Sequence, residues 1–166
     1  MQTPYRKKET YVRPKADPNI TPEKFAALGA KLKRMKEIDH PRLSEETKRL
    51  AAMGDFSENT GYQLAKSRLR GLNQRILDTE DLLKRAEIIA PNPDKNSIGL
   101  GHNVTVEVNG RIKTYQILGS VETNPMSGVI SYSSPLGAAL LDQKAGDIVS
   151  VALNDRVVRY KIIAIE

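Results

Sequence analysis

The sequence predicts an α+β protein, in which a long antiparallel coiled-coil hairpin of two helices precedes a small antiparallel β-sheet domain with one short helix. Three observations support this prediction. Apolar residues recur at coiled-coil spacing on both sides of Gly54. Two prolines, Pro91 and Pro93, then end the helical pattern. Beyond them apolar and polar residues alternate, and Asn109-Gly110 is a strong signal for a tight hairpin turn.

These patterns divide the chain into four segments. Residues 1–19 form a basic tail, residues 20–90 the hairpin, residues 91–97 a linker and residues 98–166 the sheet domain. The tail contains Pro4, Pro14 and Pro18 and no periodic apolar residues, so it cannot bury enough apolar surface to order itself. We therefore expect the tail to be disordered.

The first helix is predicted to begin at Thr21, which is a suitable N-cap before Pro22. Pro41 removes a backbone donor and crowds the preceding turn, so a kink or a short break is expected there. The apolar pattern resumes one position late at Leu43, which indicates that the helix continues after a local stutter. The seam before the break consists of Phe25, Leu28, Leu32 and Met35.

A second helix is predicted from Ser57 to Ala90, because apolar residues alternate by three and four throughout this range. At about 1.5 Å per residue it would be on the order of 50 Å long. Gly54 adopts positive φ easily, so the chain can reverse between the two helices. The residues around Gly54 would then form the tip of a projecting rod, far from the sheet domain.

The strands of the sheet domain are predicted from alternation. Residues 103–108 and 111–118 are expected to form a hairpin, residues 129–133 a third strand, and residues 148–153 and 157–165 a final hairpin. Residues 135–141 are expected to form the short helix.

The net charge of +6 arises entirely in the N-terminal part of the chain. Residues 1–90 contain 19 Lys and Arg against 13 Asp and Glu, whereas residues 91–166 contain seven of each. The hairpin therefore suits an anionic partner, with nucleic acid the commonest candidate, although a solvated helix surface explains most such excesses. The absence of cysteine excludes disulfides and thiolate chemistry. His40 and His102 are interpreted as structural residues, and because no apolar run could span a bilayer we expect a soluble, cytoplasmic protein.

Asp55 and Glu58 are the candidate functional residues, and two interpretations of them remain open. Their spacing is that of a capping box, with Asp55 as N-cap and Glu58 in the first turn, where negative charge is favourable. Alternatively, the two carboxylates are hard oxygen ligands that share a divalent cation such as Mg²⁺. Such a metal site would be incomplete and would need further ligands from a partner.

Two motifs resemble the signatures of GreA and GreB, the bacterial transcript-cleavage factors that act in transcription elongation. The first motif runs from Gly54 to Asn59, is followed by Tyr62 and leads into a basic heptad helix. The second runs from Ile130 to Leu141 and is followed by Ala145-Gly146-Asp147. The resemblance covers residues 21–166, and the density of basic residues in the second helix is nearer to GreB.

The resemblance implies that the rod enters the secondary channel of bacterial RNA polymerase, where the polymerase hydrolyses the displaced 3′ end of the nascent RNA in a backtracked complex. Asp55 and Glu58 would help to hold a Mg²⁺ shared with the polymerase, so the chain would be an accessory factor and not itself an enzyme. Ser57 and Asn59 would orient the tip, touch RNA or simply start the helix. A basic face toward RNA is implied, with a solvated face as the competing explanation; it consists of Lys66, Arg68, Arg70 and Arg75.

For the sheet domain the resemblance implies an FKBP-like fold that grips a coiled coil of the polymerase at the channel rim through Ser133, Ser134 and Pro135. Ser133 stands where the family has an acidic residue, and Ser134 with Pro135 equally suits the start of a helix. Two further departures lie at the tip, where Phe56 and Gly61 replace the usual residues of the family. We expect a monomer.

Two other functions remain as alternatives. An inhibitor could occupy the same channel without promoting cleavage, although it would not need both carboxylates. A prolyl isomerase or chaperone is suggested by the FKBP-like fold but disfavoured, because Tyr115, Tyr132 and Tyr160 are the only aromatic residues after Pro91, too few to wall an apolar pocket.

Overall fold

A computed structural model of the chain describes residues 17–53, 59–90, 93–153 and 156–166. It contains a two-helix hairpin followed by a five-stranded sheet with one short helix, which confirms the predicted α+β class. In chain order the elements are β1 (Asn19–Ile20), α1 (Pro22–Arg34), a π-helical turn (Met35–Asp39), α2 (His40–Ala51), α3 (Thr60–Arg85), β2 (Glu87–Ile88), β3 (Asn103–Val108), β4 (Arg111–Leu118), β5 (Val129–Ser131), α4 (Pro135–Leu140), β6 (Ile148–Leu153) and β7 (Arg156–Ile165).

The first arm of the hairpin begins as the sequence predicts. The Thr21 hydroxyl accepts a hydrogen bond from the backbone N–H of Lys24 at 3.2 Å, and Pro22 occupies the first helical position. The predicted break near Pro41 is also present, as the π-helical turn Met35–Asp39. The backbone N–H of His40 donates to the carbonyl of Met35, five residues earlier, and α2 continues from there. The wider turn accommodates one extra residue, which accounts for the apolar pattern resuming one position late at Leu43.

The second arm, α3, is shorter than predicted. It ends at Arg85, not at Ala90, because Ala86 leaves the helical region with φ −60° and ψ 128°. Its 26 residues extend about 39 Å at about 1.5 Å per residue. The predicted start at Ser57 lies outside the described residues, and the described helix begins at Thr60.

A short parallel ladder replaces the predicted end of the second helix. Strand β1 pairs with β2, with Asn19 opposite Glu87 and Ile20 opposite Ile88. The predicted tail boundary at residue 19 is therefore wrong, since residues 17–19 are ordered against the base of the hairpin. The physical reason is the burial of Ile20, which has no exposed surface and holds this end of the segment in place.

The two arms pack antiparallel along an apolar seam. Leu50 lies near Asn59 at one end, and Lys36 pairs with Glu80 further along, so residue numbers increase on one arm as they decrease on the other. The fully packed positions of the seam are small or aliphatic, as a close helix pair requires. They are Met35, Ala65, Leu72 and, near the base, Leu82.

The sheet has the order β5-β4-β3-β7-β6 and is mixed. The expectation of a wholly antiparallel sheet is wrong at one edge, where β5 runs parallel to β4 with Gln116 opposite Val129. The cause is the intervening segment 119–128, which is long enough to bring the chain back beside Gln116, so that β5 runs alongside the last three residues of β4 in the same direction. The predicted turn at Asn109-Gly110 is confirmed, and both residues have positive φ, 51° and 72°.

The core of this domain lies between one face of the sheet and α4. Its fully buried side chains come from β3, β4, β7, α4 and the segment before β3; they are Ile98, Val104, Val106, Ile117, Leu140 and Ile162. Within the described part of the chain, no helix is both long enough and apolar enough to cross a membrane.

A polar junction fixes the hairpin to the sheet domain. Both carboxylate oxygens of Glu122 accept hydrogen bonds from Thr21, one from its backbone N–H at 2.6 Å and one from its hydroxyl at 2.8 Å. Asp17 accepts from the backbone N–H of Ser120 at 3.2 Å. Gly119 lies so close to the carbonyl of Asn19 that a side chain at residue 119 would clash with it. The base of the rod is therefore docked on the turn that precedes the parallel edge of the sheet.

Candidate functional site

The tip of the hairpin is the chain between α2, which ends at Ala51, and α3, which begins at Thr60. This end of the rod is opposite the junction with the sheet domain. The predicted ligands Asp55 and Glu58, and the supporting residue Ser57, lie in this connection but outside the described residues. The roles of these three residues therefore stay predictions. The geometry that can be described is that of the two helix ends on either side of them.

Asn59 ties these two helix ends together. Its side-chain oxygen accepts a hydrogen bond from the backbone N–H of Tyr62 at 2.9 Å, which caps α3. Its side-chain nitrogen donates to the carbonyl of Leu50 at 2.8 Å, in the last turn of α2, which also accepts from the backbone N–H of Met53 at 3.3 Å. The side chain of Asn59 thus links the two helix ends between which Asp55 and Glu58 lie in the sequence.

The capping interpretation of Asp55 is wrong for the helix described. The N-cap of α3 is Asn59, with φ −79° and ψ 84°, four positions after Asp55. Sequence reasoning gave Asn59 a supporting role but missed its bond to Leu50. The available signal was the strong N-cap preference of asparagine, which the Asp55–Glu58 spacing obscured.

Gly61 lies within the first turn of α3, against Asn59 and the end of α2. A Cβ at this position would be 3.4 Å from the side-chain oxygen of Asn59 and 3.6 Å from a methyl group of Leu50. These are close but tolerable contacts, so glycine is not required here by lack of space. Its effect is to leave the first turn of α3 with less helix propensity than most residues would give it.

The four basic residues predicted to face RNA are all exposed but do not share one face of α3. Each residue advances about 100° around a helix. Lys66 and Arg70 therefore lie on one flank, whereas Arg68 and Arg75 lie roughly 180° away, on the other side of the seam. The ammonium group of Lys66 lies 5.7 Å from the centre of the Tyr62 ring, and Nε of Arg75 donates to the carbonyl of Gly71 at 3.3 Å. The four residues predicted to form one RNA-facing surface therefore lie on two separate surfaces of α3.

The three residues predicted to contact the polymerase form a rigid turn between β5 and α4. The Ser134 hydroxyl donates to the carbonyl of Ser131 at 2.6 Å and accepts from the backbone N–H of Gly137 at 3.0 Å, so it caps α4. The hydroxyl of Ser133 lies 2.8 Å from that of Ser131, which is buried. Ser133 and Pro135 are exposed, whereas Ser134 is partly buried. The turn therefore presents Ser133 and Pro135 outward, and Ser134 holds its shape.

Two groups with shifted pKa values lie along the hairpin, one beside the π-helical turn and one at the junction with the sheet domain. The Lys36 ammonium, which is bonded to Glu80, lowers the pKa of that carboxyl below its usual value. Burial and the nearby carboxylate of Asp17 raise the pKa of Tyr132, at the junction between the hairpin and the sheet domain. No group of three or more His, Asp and Glu residues in the described ranges is arranged to hold a metal ion.

Two family models match the chain. The N-terminal model of transcription elongation factors matches residues 19–88, and the C-terminal GreA/GreB model matches residues 92–166. Transcription elongation factor GreA of Thermomicrobium roseum is 34% identical over 149 residues, which are 89% of this chain and 96% of that protein. GreA of Macrococcus caseolyticus is 38% identical over 149 residues, 88% of this chain and 94% of that protein.

Solved structures of related proteins are also similar. The GreA factor homologue Gfh1 of Thermus thermophilus is 27% identical, with 86% of this chain and 94% of that chain covered and a TM-score of 0.40. Gfh1 of Thermus aquaticus is 29% identical, with 89% and 96% covered and a TM-score of 0.38. Because the two family models match consecutive segments that make up most of the sequence, this chain belongs to the GreA/GreB family of transcription elongation factors.

Proposed function

We propose that this protein inserts its hairpin into the secondary channel of bacterial RNA polymerase and stimulates the polymerase to cleave the 3′ end of its own RNA in backtracked, arrested complexes. On this proposal the chain has no active site of its own. It would complete a site in the polymerase as an accessory factor, which is consistent with its relatives being transcription elongation factors.

The geometry of the hairpin carries the proposal. Helix α3 is about 39 Å long, and the hairpin is only two helices wide. The tip of the hairpin can therefore reach a recessed site that a globular domain could not enter. The base is docked on the sheet domain through Glu122, and the far end is closed by Asn59. On this proposal, the segment that contains Asp55 and Glu58 extends from the end of the hairpin farthest from the sheet domain.

The two tip carboxylates would supply hard oxygen ligands to a Mg²⁺ that the polymerase also holds. Two carboxylates are too few for a complete site, which suits an ion whose remaining ligands are water and the partner's groups. The ion would activate the attacking water and stabilise the leaving oxygen of the RNA. Asn59 would act indirectly, because its hydrogen bonds hold the two helix ends from which the tip extends.

The remaining site residues have separate roles in this proposal. Ser133 and Pro135 would contact the coiled coil at the channel rim, while Ser134 keeps their turn rigid. Lys66 and Arg70 would lie on one flank of the rod and Arg68 and Arg75 on the other, so the extruded RNA would contact one pair and not all four.

The test is RNA cleavage in a stalled, backtracked elongation complex with 3′-labelled RNA and Mg²⁺. Asp55→Asn and Glu58→Gln remove one ligand charge each and keep the side-chain shape. We expect each to reduce the cleavage rate by roughly a hundredfold, because the lost interaction stabilises transition-state charge by several kcal/mol. Glu45→Gln, which neutralises an exposed carboxylate on α2, serves as the matched control and should stimulate cleavage as well as the unmodified chain.

Polymerase binding is measured in parallel by competition with a labelled copy of the protein. Both tip variants should bind as well as the unmodified chain. Normal cleavage by both variants would exclude the metal-ligand role. Binding that slows nucleotide addition without any cleavage would instead identify a channel inhibitor.

A further inference from the structure

The π-helical turn creates a groove on one flank of the hairpin, halfway along the rod. The groove lies between the first arm and α3 and encloses about 360 Å³. This volume falls within the roughly 300–1,000 Å³ range of small-molecule sites. Its floor is apolar, formed by Met35, Leu43 and Leu72, of which Met35 and Leu72 are almost fully buried.

The rim of the groove is strongly basic. Four cations and one carboxylate line it, which leaves a net charge of +3; they are Lys31, Arg34, Arg42, Arg75 and Asp39. Within the described part of the chain, the ion pair between these rim residues is a weak one, from Arg34 to Asp39 at 3.9 Å. Arg75 uses Nε for a bond to the carbonyl of Gly71, which leaves its two terminal nitrogens for other acceptors.

The π-helical turn brings two of these cations together. Arg34 and Arg42 are eight residues apart, so in a regular α-helix they would lie roughly 80° apart around the axis. The turn absorbs one residue, which reduces the separation to roughly 20° and places both side chains on the groove side. Single π-turns within helices are frequent at functional sites.

The opposite flank of the rod shows that the basic groove is not a general property of the hairpin. A second groove there encloses about 440 Å³ and is lined by Lys36, His40, Asn73, Ile76 and Leu77. Its lysine is paired with Glu80, so no comparable excess of positive charge remains. Of these two grooves, the one at the π-helical turn therefore has the excess of positive charge.

We propose that the basic groove at the π-helical turn binds a nucleoside polyphosphate. Arginine guanidinium groups match phosphate oxygens in pairs, and a net charge of +3 suits a chain of two or three phosphates. The apolar floor would accommodate the base. Four cations around a single cavity favour a ligand of mononucleotide size, whereas an RNA strand needs cations and stacking groups spaced along its path. This site is independent of the tip carboxylates.

Calorimetric titration of the full chain in Mg²⁺-free, low-salt buffer tests the proposal, with ATP, tripolyphosphate and a single-stranded RNA hexanucleotide as probes. We expect ATP to bind at one site and more tightly than tripolyphosphate, because only ATP contacts the apolar floor. The double variant Arg34→Gln/Arg42→Gln should bind ATP at least tenfold more weakly, whereas Lys33→Gln/Lys48→Gln, which removes two exposed charges outside the groove, should change the affinity less than threefold. Asp39→Asn removes the carboxylate of the rim and should tighten ATP binding severalfold, a gain that misfolding cannot produce.

Absence of ATP binding would overturn the proposal, as would equal losses in the two double variants. Tighter binding of the hexanucleotide than of ATP, with the loss again confined to the arginine variant, would overturn the mononucleotide assignment. Equal affinity for ATP and tripolyphosphate would overturn the role of the apolar floor. Because none of these measurements includes polymerase, they stay separate from the cleavage test.

Discussion

Asn59 joins the two arms of the hairpin where the chain reverses. Its side-chain oxygen caps α3 and its side-chain nitrogen donates to the carbonyl of Leu50 in α2, so one amide side chain links both helix ends. Asparagine suits this position because its side chain carries both an acceptor and a donor. Aspartate and serine would cap the helix equally well. An ionised aspartate has no hydrogen to donate, however, and the serine side chain is too short to donate to Leu50 in the same way. The bond across the hairpin, and not capping alone, therefore explains why asparagine suits this position.

Substitutions at Asn59 separate its two bonds. Asn59→Ala should lower the free energy of unfolding by about 1–2 kcal/mol, since the cap and the bond to Leu50 are both lost. Asn59→Asp keeps the acceptor and loses the donor, so it should cost less stability. If the cross-hairpin bond positions the tip, both variants should nevertheless stimulate RNA cleavage by the polymerase less strongly while binding the polymerase normally. Chemical denaturation and the cleavage assay measure the two effects, and unchanged cleavage by Asn59→Asp would restrict Asn59 to capping.

At the scale of elements, the features that could be predicted from the sequence are those that depend on a local residue pattern. The one-position slip between Met35 and Leu43, together with Pro41, located the break in the first arm, and the structure realises it as a π-helical turn. The hairpin turn at Asn109-Gly110 follows from residues that tolerate positive φ. The ladder between β1 and β2 could not be predicted, because it joins Asn19–Ile20 to Glu87–Ile88 and each strand has only two residues. Such a pairing leaves no periodic signal in either segment.

The ion pair between Lys36 and Glu80 links the two arms near the π-helical turn and makes the hairpin sensitive to acid. Because the lysine lowers the pKa of Glu80 below 4.5, its ordinary value, the pair contributes stability above that pH. The contribution is lost as the pH falls through the lowered pKa of the folded state. We expect Glu80→Gln to reduce the loss of stability between neutral pH and about pH 3, as measured by urea unfolding. Glu45→Gln should retain the slope of the unmodified protein, and an unchanged slope in Glu80→Gln would contradict the assignment.

On the scale of the whole molecule, function depends on where the sheet domain holds the rod. The candidate tip could be located from sequence, because Asp55 and Glu58 lie between two helical patterns. The junction between the hairpin and the sheet domain could not be located from the sequence, since Thr21 and Glu122 are 101 residues apart and no motif connects them. Its parts are a bidentate carboxylate, a glycine required by the closeness of Asn19, and the bond from Ser120 to Asp17. Together they set the direction in which the tip points relative to the exposed turn of Ser133 and Pro135.

Loosening the junction should therefore spread the positions of the tip without unfolding either part. Glu122→Ala removes both hydrogen bonds to Thr21, and we expect a broader distribution of distances between spin labels attached at residues 48 and 150. The labels can be placed through single cysteines because the sequence contains none. Glu107→Ala, on the exposed face of the sheet, removes an equal charge and should leave the distribution unchanged. A narrow, unshifted distribution in Glu122→Ala would mean that the ladder of β1 and β2 is sufficient to orient the rod. If the distribution broadens, the affinity for polymerase should also fall. The hairpin and the turn of Ser133 and Pro135 would then have to be brought into position before both could contact the polymerase, which costs conformational entropy.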